Sequence, residues 1–305
     1  MQHEVHVLKK SLFAAAIFIS ALLCSCNYGF PPFLFGEEEV ESRASSALVL
    51  SGKNIPQVGS GSKYSFIVFT DSHFGNSHIA RKEETFLQIF KSLLNNPDPA
   101  LRPRFIVNIG DTLDGGHSSE ADFFNATAAR WIAAANDALG INDFKVYSIL
   151  GNHDLYNNGW ETWRTRIYPY TSFYTFTLNA GGKNNFDFWF LDTGNGTLGA
   201  NQIEFLESAM AASARPKIVF MHYPLYAGGI FYFALGDVTE RARLISDFAR
   251  TNVKYVFEGH KHAPLNYDFG NFKEAVIGAY LEDKVFGLVT VDETTGSVSF
   301  TRMWY

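Results

Sequence analysis

Six short apolar runs recur through the chain, and each stops abruptly at a polar residue. They are YSFIVFT (64–70), RFIVNIG (104–110), KVYSIL (145–150), FDFWFLD (186–192), KIVFMH (217–222) and KYVFEG (254–259). β-branched and aromatic residues dominate them, and they are apolar on both faces, the pattern of strands buried on both sides. Helical patterns fill the gaps, at 79–95, 119–139, 201–213 and 237–251, and Gly140 stands where a helix would end in a left-handed residue. After Gly259 only strand patterns remain: NYDFG, KEAVIG, VFGLVTV and SVSFTRM. Strands alternating with helices, then strands alone, predict an α/β fold: a layered β-sandwich of two mixed sheets flanked by helices.

The polar residues at the strand ends carry the chemistry. Asp71-Ser72-His73 follows the first strand and Gly110-Asp111-Thr112-Leu113-Asp114 the second. Gly151-Asn152-His153-Asp154 follows the third, His222 closes the fifth, and Gly259-His260-Lys261-His262 follows the sixth. Ligands of open α/β sheets bind beyond the carboxyl ends of the strands, so five strands aim carboxylates, imidazoles and one amide at one rim. Of 9 histidines, His3 and His6 lie near the N-terminus, five occupy these strand ends, and only His78 and His117 do not. Each piece alone is weak. G-D-x-x-D is ordinary turn chemistry, and a lone histidine after a strand is more often a core or surface residue. The set and its order are specific.

That set, D-x-H, G-D-x-x-D, G-N-H-D, a single H and G-H-x-H, resembles the signature of the calcineurin-like metallophosphoesterases from about Lys63 to the C-terminus. The donor types agree with such a site. Carboxylate, imidazole and amide oxygen suit Mn, Fe, Zn or Co, with no thiolate to select a softer ion. Seven ligands exceed one tetrahedral zinc and fit two divalent metal ions about 3.5–4 Å apart. The resemblance implies Asp71, His73, Asp111 and His262 on one metal and Asp111, Asn152, His222 and His260 on the other, with Asp111 bridging. It implies a hydrolase of phosphodiesters or small phosphomonoesters in which a bridging hydroxide attacks phosphorus in line. His153 would face the leaving group, and Asp114 would hydrogen-bond its other ring nitrogen. Asp154 reads as a residue that orients the GNH turn.

Departures narrow the branch. Ser/Thr protein phosphatases of the family continue G-D-x-x-D with Arg-Gly and carry Glu after GNH, whereas Gly115-Gly116-His117 and Asp154 stand here. Purple acid phosphatases need Tyr in place of Asp114 and lack a histidine at position 73. The family's 5′-nucleotidases carry a large further domain, for which Tyr305 comes too soon. The segment YPLYAGGIFYFALGD (223–237) reads either as a lid over the substrate or as aromatic packing against the sheet edge. Asn76, His117 and Tyr226 are candidate substrate contacts. Two other classes stay open: a surface lipoprotein that keeps the fold for binding, and a dinuclear hydrolase of bonds other than phosphate esters.

The N-terminus reads as an export signal. Lys9-Lys10 precede SLFAAAIFISALL (11–23), which is short of the about 20 residues that span a bilayer. Both cysteines of the chain follow, in LLCSC. This resembles the lipobox of bacterial lipoproteins, with Leu23, Ser25 and a lipidated Cys26, although Cys24 departs from its pattern; a plain signal peptide that loses both cysteines is the alternative. The expected division is a signal at 1–26, a tether at 27–62 and one domain at 63–305. The expected location is exported, anchored to a bacterial membrane through the lipid, facing the periplasm or cell surface. The tether reading rests on Pro31-Pro32, the acidic EEEVE run and GSGS, with the apolar FPPFLFG free to pack on the domain or the membrane. A hydrophobic content of 47% against 18% charged residues supports a full core. A formal charge of −6 with no Lys/Arg-rich run argues against a nucleic-acid partner and leaves a small phosphorylated substrate.

Overall fold

The computed structural model describes residues 39–59 and 61–305; the export signal, Cys24, Cys26, Pro31-Pro32 and FPPFLFG lie outside them. The six apolar runs form strands β2 (Lys63–Phe69), β3 (Pro103–Ile109), β4 (Val146–Ile149), β6 (Phe186–Phe190), β7 (Lys217–Phe220) and β8 (Val253–Glu258). They are joined by β1 (Leu48–Val49), β5 (Tyr174–Leu178), β9 (Leu265–Asp268), β10 (Lys273–Val276), β11 (Val285–Asp292) and β12 (Ser297–Trp304). Seven strands pair in the order β1-β5-β6-β7-β8-β10-β9 and five in the order β12-β11-β2-β3-β4. Both sheets are mixed. β2-β3-β4 and β6-β7-β8 run parallel, while β11 and β12 close the second sheet antiparallel. This is the expected α/β sandwich.

The period of two decides which side chain meets which layer. Along β2, Phe66 and Val68 point into the space between the sheets, and Ile67 and Phe69 point toward the helices. Along β7, Ile218 and Phe220 face inward and Val219 outward. Phenylalanines fill the interlayer: Phe66 stacks on Phe105 with centroids 4.7 Å apart, and Phe190 on Phe220 at 4.7 Å. Helices α2 (Ile79–Leu94) and α3 (Ser118–Leu139) cover the outer face of the smaller sheet, with Phe86 and Trp131 against Phe69. Helices α5 (Gly199–Ala211) and α6 (Val238–Arg250) cover the outer face of the larger. α3 ends as expected at Gly140, whose φ of 64° is left-handed. The short α4 (Gly159–Arg166) and β5 have no counterpart in the sequence reading: GWETWRTR offers barely two turns of pattern, and YTFTL sits between turn-like segments. Among the described residues no helix is long and apolar enough to cross a membrane.

The expected tether is corrected over most of its length. A one-turn helix α1 (Val40–Arg43) and β1 belong to the domain, with β1 pairing parallel to β5 at Leu48↔Tyr174. Arg43 is the anchor. Its Nε and Nη2 donate to the two carboxylate oxygens of Asp192 at 2.7 and 2.8 Å, with both side chains fully buried. Glu41 accepts from the backbone of Ala200 and Asn201, supplying negative charge at the start of α5. Tyr147 Oη donates to Asn54 O at 2.9 Å. A two-residue strand and a single inserted arginine carry no periodicity, so the sequence pattern could not reveal them.

A buried ion pair costs most when one partner is removed, because the other charge stays behind. Arg43→Met is expected to lower unfolding stability in urea by about 3–5 kcal/mol. Arg43→Met combined with Asp192→Leu should recover most of that loss, and a double variant no better than the single would contradict the pairing.

Candidate metal centre

The loops leaving β2, β3 and β4 are laced together by their backbones. Asp71 N donates to Gly110 O at 3.1 Å, His73 N to Asp111 O at 3.0 Å and Phe74 N to Thr112 O at 2.7 Å. His153 N donates to Asp111 Oδ1 at 2.9 Å. From the other sheet, Gly259 N donates to His222 O at 3.0 Å and His260 N to Asp71 Oδ2 at 3.2 Å. Two motif glycines permit the approach. A Cβ on Gly151 would lie 2.1 Å from Asp111 Oδ1, and one on Gly110, whose φ is +84°, would lie 2.6 Å from Gly151 N. No side chain fits either place.

The backbone around the rim is strained. Asp71, His73, Asp111, His260 and His262 all have positive φ, between 46° and 62°. The left-handed region costs an L-residue roughly 1–2 kcal/mol, and such residues gather where surrounding structure and function hold them. Five of them within three loops turn their side chains toward one point.

Asp71, His73, Asp111 and His262 each bring a donor atom within 4.8 Å of the others, and Asp111, His222 and His260 do the same. Asp111 belongs to both groups. His222 Nε2 lies 3.3 Å from Asp111 Oδ2, and His262 Nε2 lies 3.3 Å from Asp71 Oδ1. Asp71 Oδ1, both ring nitrogens of His73, Asn152 Oδ1 and His222 Nε2 are buried and have no hydrogen-bond partner. Buried polar atoms are rarely left so, and each such exception calls for an explanation. A cation among these atoms supplies it: the donors are oxygen and imidazole nitrogen, and the loops leave them pointing inward. The residues present therefore fit a divalent-metal site.

Electrostatics reflect the crowding. Burial alone would raise the Asp111 pKa, but the neighbouring His222, His153 and His73 hold it well below the usual carboxylate range. Burial opposes a proton on His222, yet the adjacent Asp111 raises its pKa to about 9. The Asp71 carboxylate, facing its Nε2, raises His262 to about 10. Desolvation, with His222 nearby, pushes His260 down to about 3, and desolvation lowers His73 as well. The surroundings thus favour ionised carboxylates at Asp71 and Asp111 and neutral rings at His73 and His260, the forms that ligate.

A second layer orients the donors. His222 Nδ1 lies 2.8 Å from Ile109 O and His262 Nδ1 3.0 Å from Glu282 Oε2, which leaves each Nε2 facing the centre. Asn152 Nδ2 donates to Tyr156 Oη at 3.2 Å, turning the amide oxygen inward. Asp154 accepts from Gly151 N, Leu113 N and Thr112 N at 2.8, 2.8 and 3.3 Å, so it ties the GNH turn to the G-D-x-x-D turn. Burial and the charge of Asp111 still push its pKa up to about 8.

One expectation changes. His153 Nδ1 lies 2.8 Å from Asp114 O, the backbone carbonyl, while the Asp114 carboxylate faces His73 Nδ1 at 3.4 Å. The sharp turn after Leu113 directs the carbonyl, not the side chain, at His153. The three candidate substrate residues stand outside the donor clusters. Asn76 Oδ1 accepts from His78 N at 3.1 Å in the turn before α2. His117 is exposed at the start of α3, its N–H on Glu120 Oε2 at 3.1 Å. Tyr226 packs on Tyr267 with centroids 4.2 Å apart. Glu282, Tyr156 and Tyr223, which stacks on His260 at 3.9 Å, escaped the sequence reading. Glu282 belongs to no motif, while Tyr223 carried one signal, its position beside His222.

The calcineurin-like phosphoesterase family matches residues 64–264. Among solved structures, a dimetal phosphatase from Danio rerio shares 12% identity at a TM-score of 0.52, covering 79% of this chain and 99% of its own. GAP50, described as the anchor in the inner membrane complex of Plasmodium, shares 14% at a TM-score of 0.56, covering 79% and 84%. At such identities these two establish likeness of fold. No curated protein matches the chain. With all five strand-end motifs inside or bordering the matched span and their side chains gathered at one rim, the chain belongs to the calcineurin-like phosphoesterase family.

Proposed function

We propose that the protein hydrolyses phosphoester bonds, of a phosphodiester or a small phosphomonoester, at a centre of two divalent metal ions. One observation carries this reading: buried donor atoms without partners converge on a carboxylate, Asp111, that two donor groups share. Asp71, His73 and His262 would hold one ion with Asp111, and Asn152, His222 and His260 the other. When bound, such ions supply Lewis-acid charge to the phosphoryl oxygens and acidify a water for in-line attack.

The remaining chemistry belongs to the chain. A carbonyl can only accept, so His153 Nδ1 keeps its proton against Asp114 O, and Nε2 is the position that exchanges one. Giving a proton from Nε2 to the leaving oxygen returns the ring to the neutral Nδ1–H tautomer with its hydrogen bond intact. His73 and Tyr156, whose rings lie 4.6 and 4.7 Å from that of His153, confine its tilt. Asp114 acts on His73 through its carboxylate and on His153 through its backbone. We further propose export with a lipid on Cys26, which places the activity at a membrane surface.

Asp111→Asn and His260→Ala are expected to lose bound transition metal by elemental analysis, and with it hydrolysis of bis(4-nitrophenyl) phosphate, while circular dichroism stays native. Full turnover in either variant, or a metal-free wild type inactive in Mn²⁺, would remove the reading and favour a binding protein. His153→Ala should keep its metal and lose about 10²–10⁴ in rate. Asp114→Asn preserves the carbonyl on His153, so its defect should lie in metal affinity, about 10–100-fold, with kcat at saturating metal much less affected. Labelled palmitate should enter the wild type in a bacterial host and not Cys26→Ser; label in both would refute the anchor.

A further inference from the structure

The loop after His222 carries an exposed apolar tip that the metal centre does not use. Ile230, Phe231 and Tyr232 are consecutive and 52%, 53% and 61% exposed. Scattered exposed apolar residues are ordinary, but adjacent ones mark a surface that binds something. The tip is held out rather than loose. At its base Leu235 N donates to Pro224 O at 2.9 Å, Leu225 N to Glu258 Oε1 at 3.2 Å and Tyr226 N to Glu274 Oε1 at 3.0 Å. The Arg241 guanidinium lies 4.5 Å from the centroid of the Phe231 ring and donates to Leu235 O at 2.7 Å. Tyr226, in ring contact with Phe231 and Tyr267, extends the surface along β9.

This surface continues into the metal centre. Phe233, at the end of the tip, has its ring 6.2 Å from His260, on which Tyr223 at the loop's start is stacked. Lys261, between His260 and His262 in the chain, places its Nζ 3.2 Å from where a Cβ on Gly228 would stand, so a cation lies against the turn that leads into the tip. The candidate metal centre, a cation and the apolar ridge are thus joined along one loop and its neighbours. Ile230 and Phe231 offer no donor or acceptor that would satisfy the polar edge of a nucleobase. An alkyl chain needs none.

We propose that the tip binds an alkyl or acyl chain carried by the substrate itself, making the substrate an amphiphilic phosphoester whose phosphoryl group sits at the metal centre. This rests on the phosphoesterase reading above. It assigns Ile230, Phe231, Tyr226 and Tyr267 to chain recognition and Lys261 to the charge beside the ester.

The test uses 4-nitrophenyl alkyl phosphodiesters with methyl, butyl and octyl groups, kept monomeric, on the metal-loaded protein. In the wild type KM should fall roughly tenfold or more from methyl to octyl, since each buried methylene favours transfer from water. Ile230→Ser with Phe231→Ser, both exposed positions, should flatten that trend, while Tyr170→Ser, an exposed aromatic elsewhere, should retain it. A wild-type KM independent of chain length, or a trend intact in the double variant, overturns the proposal. So does a double variant that loses only binding to phospholipid vesicles, which would make the tip a membrane contact. Calorimetric titration with methyl, butyl and octyl phosphonates reads the surface without turnover. Chain-length-dependent binding to an inactive wild type would sustain the chain site and sink the phosphoesterase reading; flat binding would sink the chain site.

Discussion

The site depends on one buried anion. Asp111 is 1% exposed, with one carboxylate oxygen accepting from His153 N and the other facing His222 Nε2. A lone carboxylate there would take up a proton, because desolvation disfavours charge. It stays ionised because three imidazoles surround it, and those imidazoles stand there because two sheets end at the same place. The charge is therefore a property of the sandwich. A side chain at Gly151 would push apart the loops after β3 and β4, one at Gly110 would also push against His222 of the other sheet, and the anion would lose the neighbours that keep it charged. Five left-handed residues around the same point carry the backbone cost of that closeness. The paired strands behind them, filled by stacked phenylalanines, supply the rigidity that holds them there.

The two histidines with raised pKa and the two with lowered pKa divide along this geometry. His222 and His262 each have a carboxylate 3.3 Å from Nε2 and a second acceptor at Nδ1, so both ring nitrogens favour a proton. His73 and His260 lie between other imidazoles and are dominated by desolvation. A cation at the centre would be held by His73 and His260, whose surroundings favour the neutral ring, and by His222 and His262, whose rings would have to give up a proton to ligate. Second-layer acceptors such as Ile109 O and Glu282 then keep each Nε2 aimed inward.

Much of this was legible in the sequence because strands and motifs are local. An apolar run ending in Gly-Asn-His-Asp announces both a buried strand and its cargo. Neighbouring motifs also report their own long-range contacts, since they must meet. What stayed illegible was set by contacts with no local signature. Arg43 looks like a surface charge until Asp192 is found opposite it, 149 positions away. Glu282 looks solvated until His262 turns toward it. The family resemblance implies a side-chain contact from Asp114 to His153, and the backbone carbonyl makes it instead, a choice of atom that a motif does not specify. The aromatic segment after His222 supported a lid and a packed edge equally, and the structure divides it: Leu225 and Leu235 are packed, while Ile230 and Phe231 stand out.

The corrected N-terminal segment also changes how the proposed anchor would work. With a tether of 27–62, the domain could drift far from a lipid on Cys26. With Arg43 locked to Asp192, α1 and β1, which fall inside 27–62, belong to the domain and not to a linker. Asp192 leads into Thr193, whose Oγ1 accepts from His222 N and Tyr223 N at 3.0 and 3.1 Å. Arg43 is thus linked, through Asp192 and the adjoining Thr193, to a candidate metal ligand and to the loop that carries the apolar tip. A lipid on Cys26, as proposed, would hold the domain near the surface where amphiphilic phosphoesters concentrate. Anchor and tip, as proposed, would then serve one end: both would raise the rate at which such a substrate meets a centre whose buried charge already limits what it can hold.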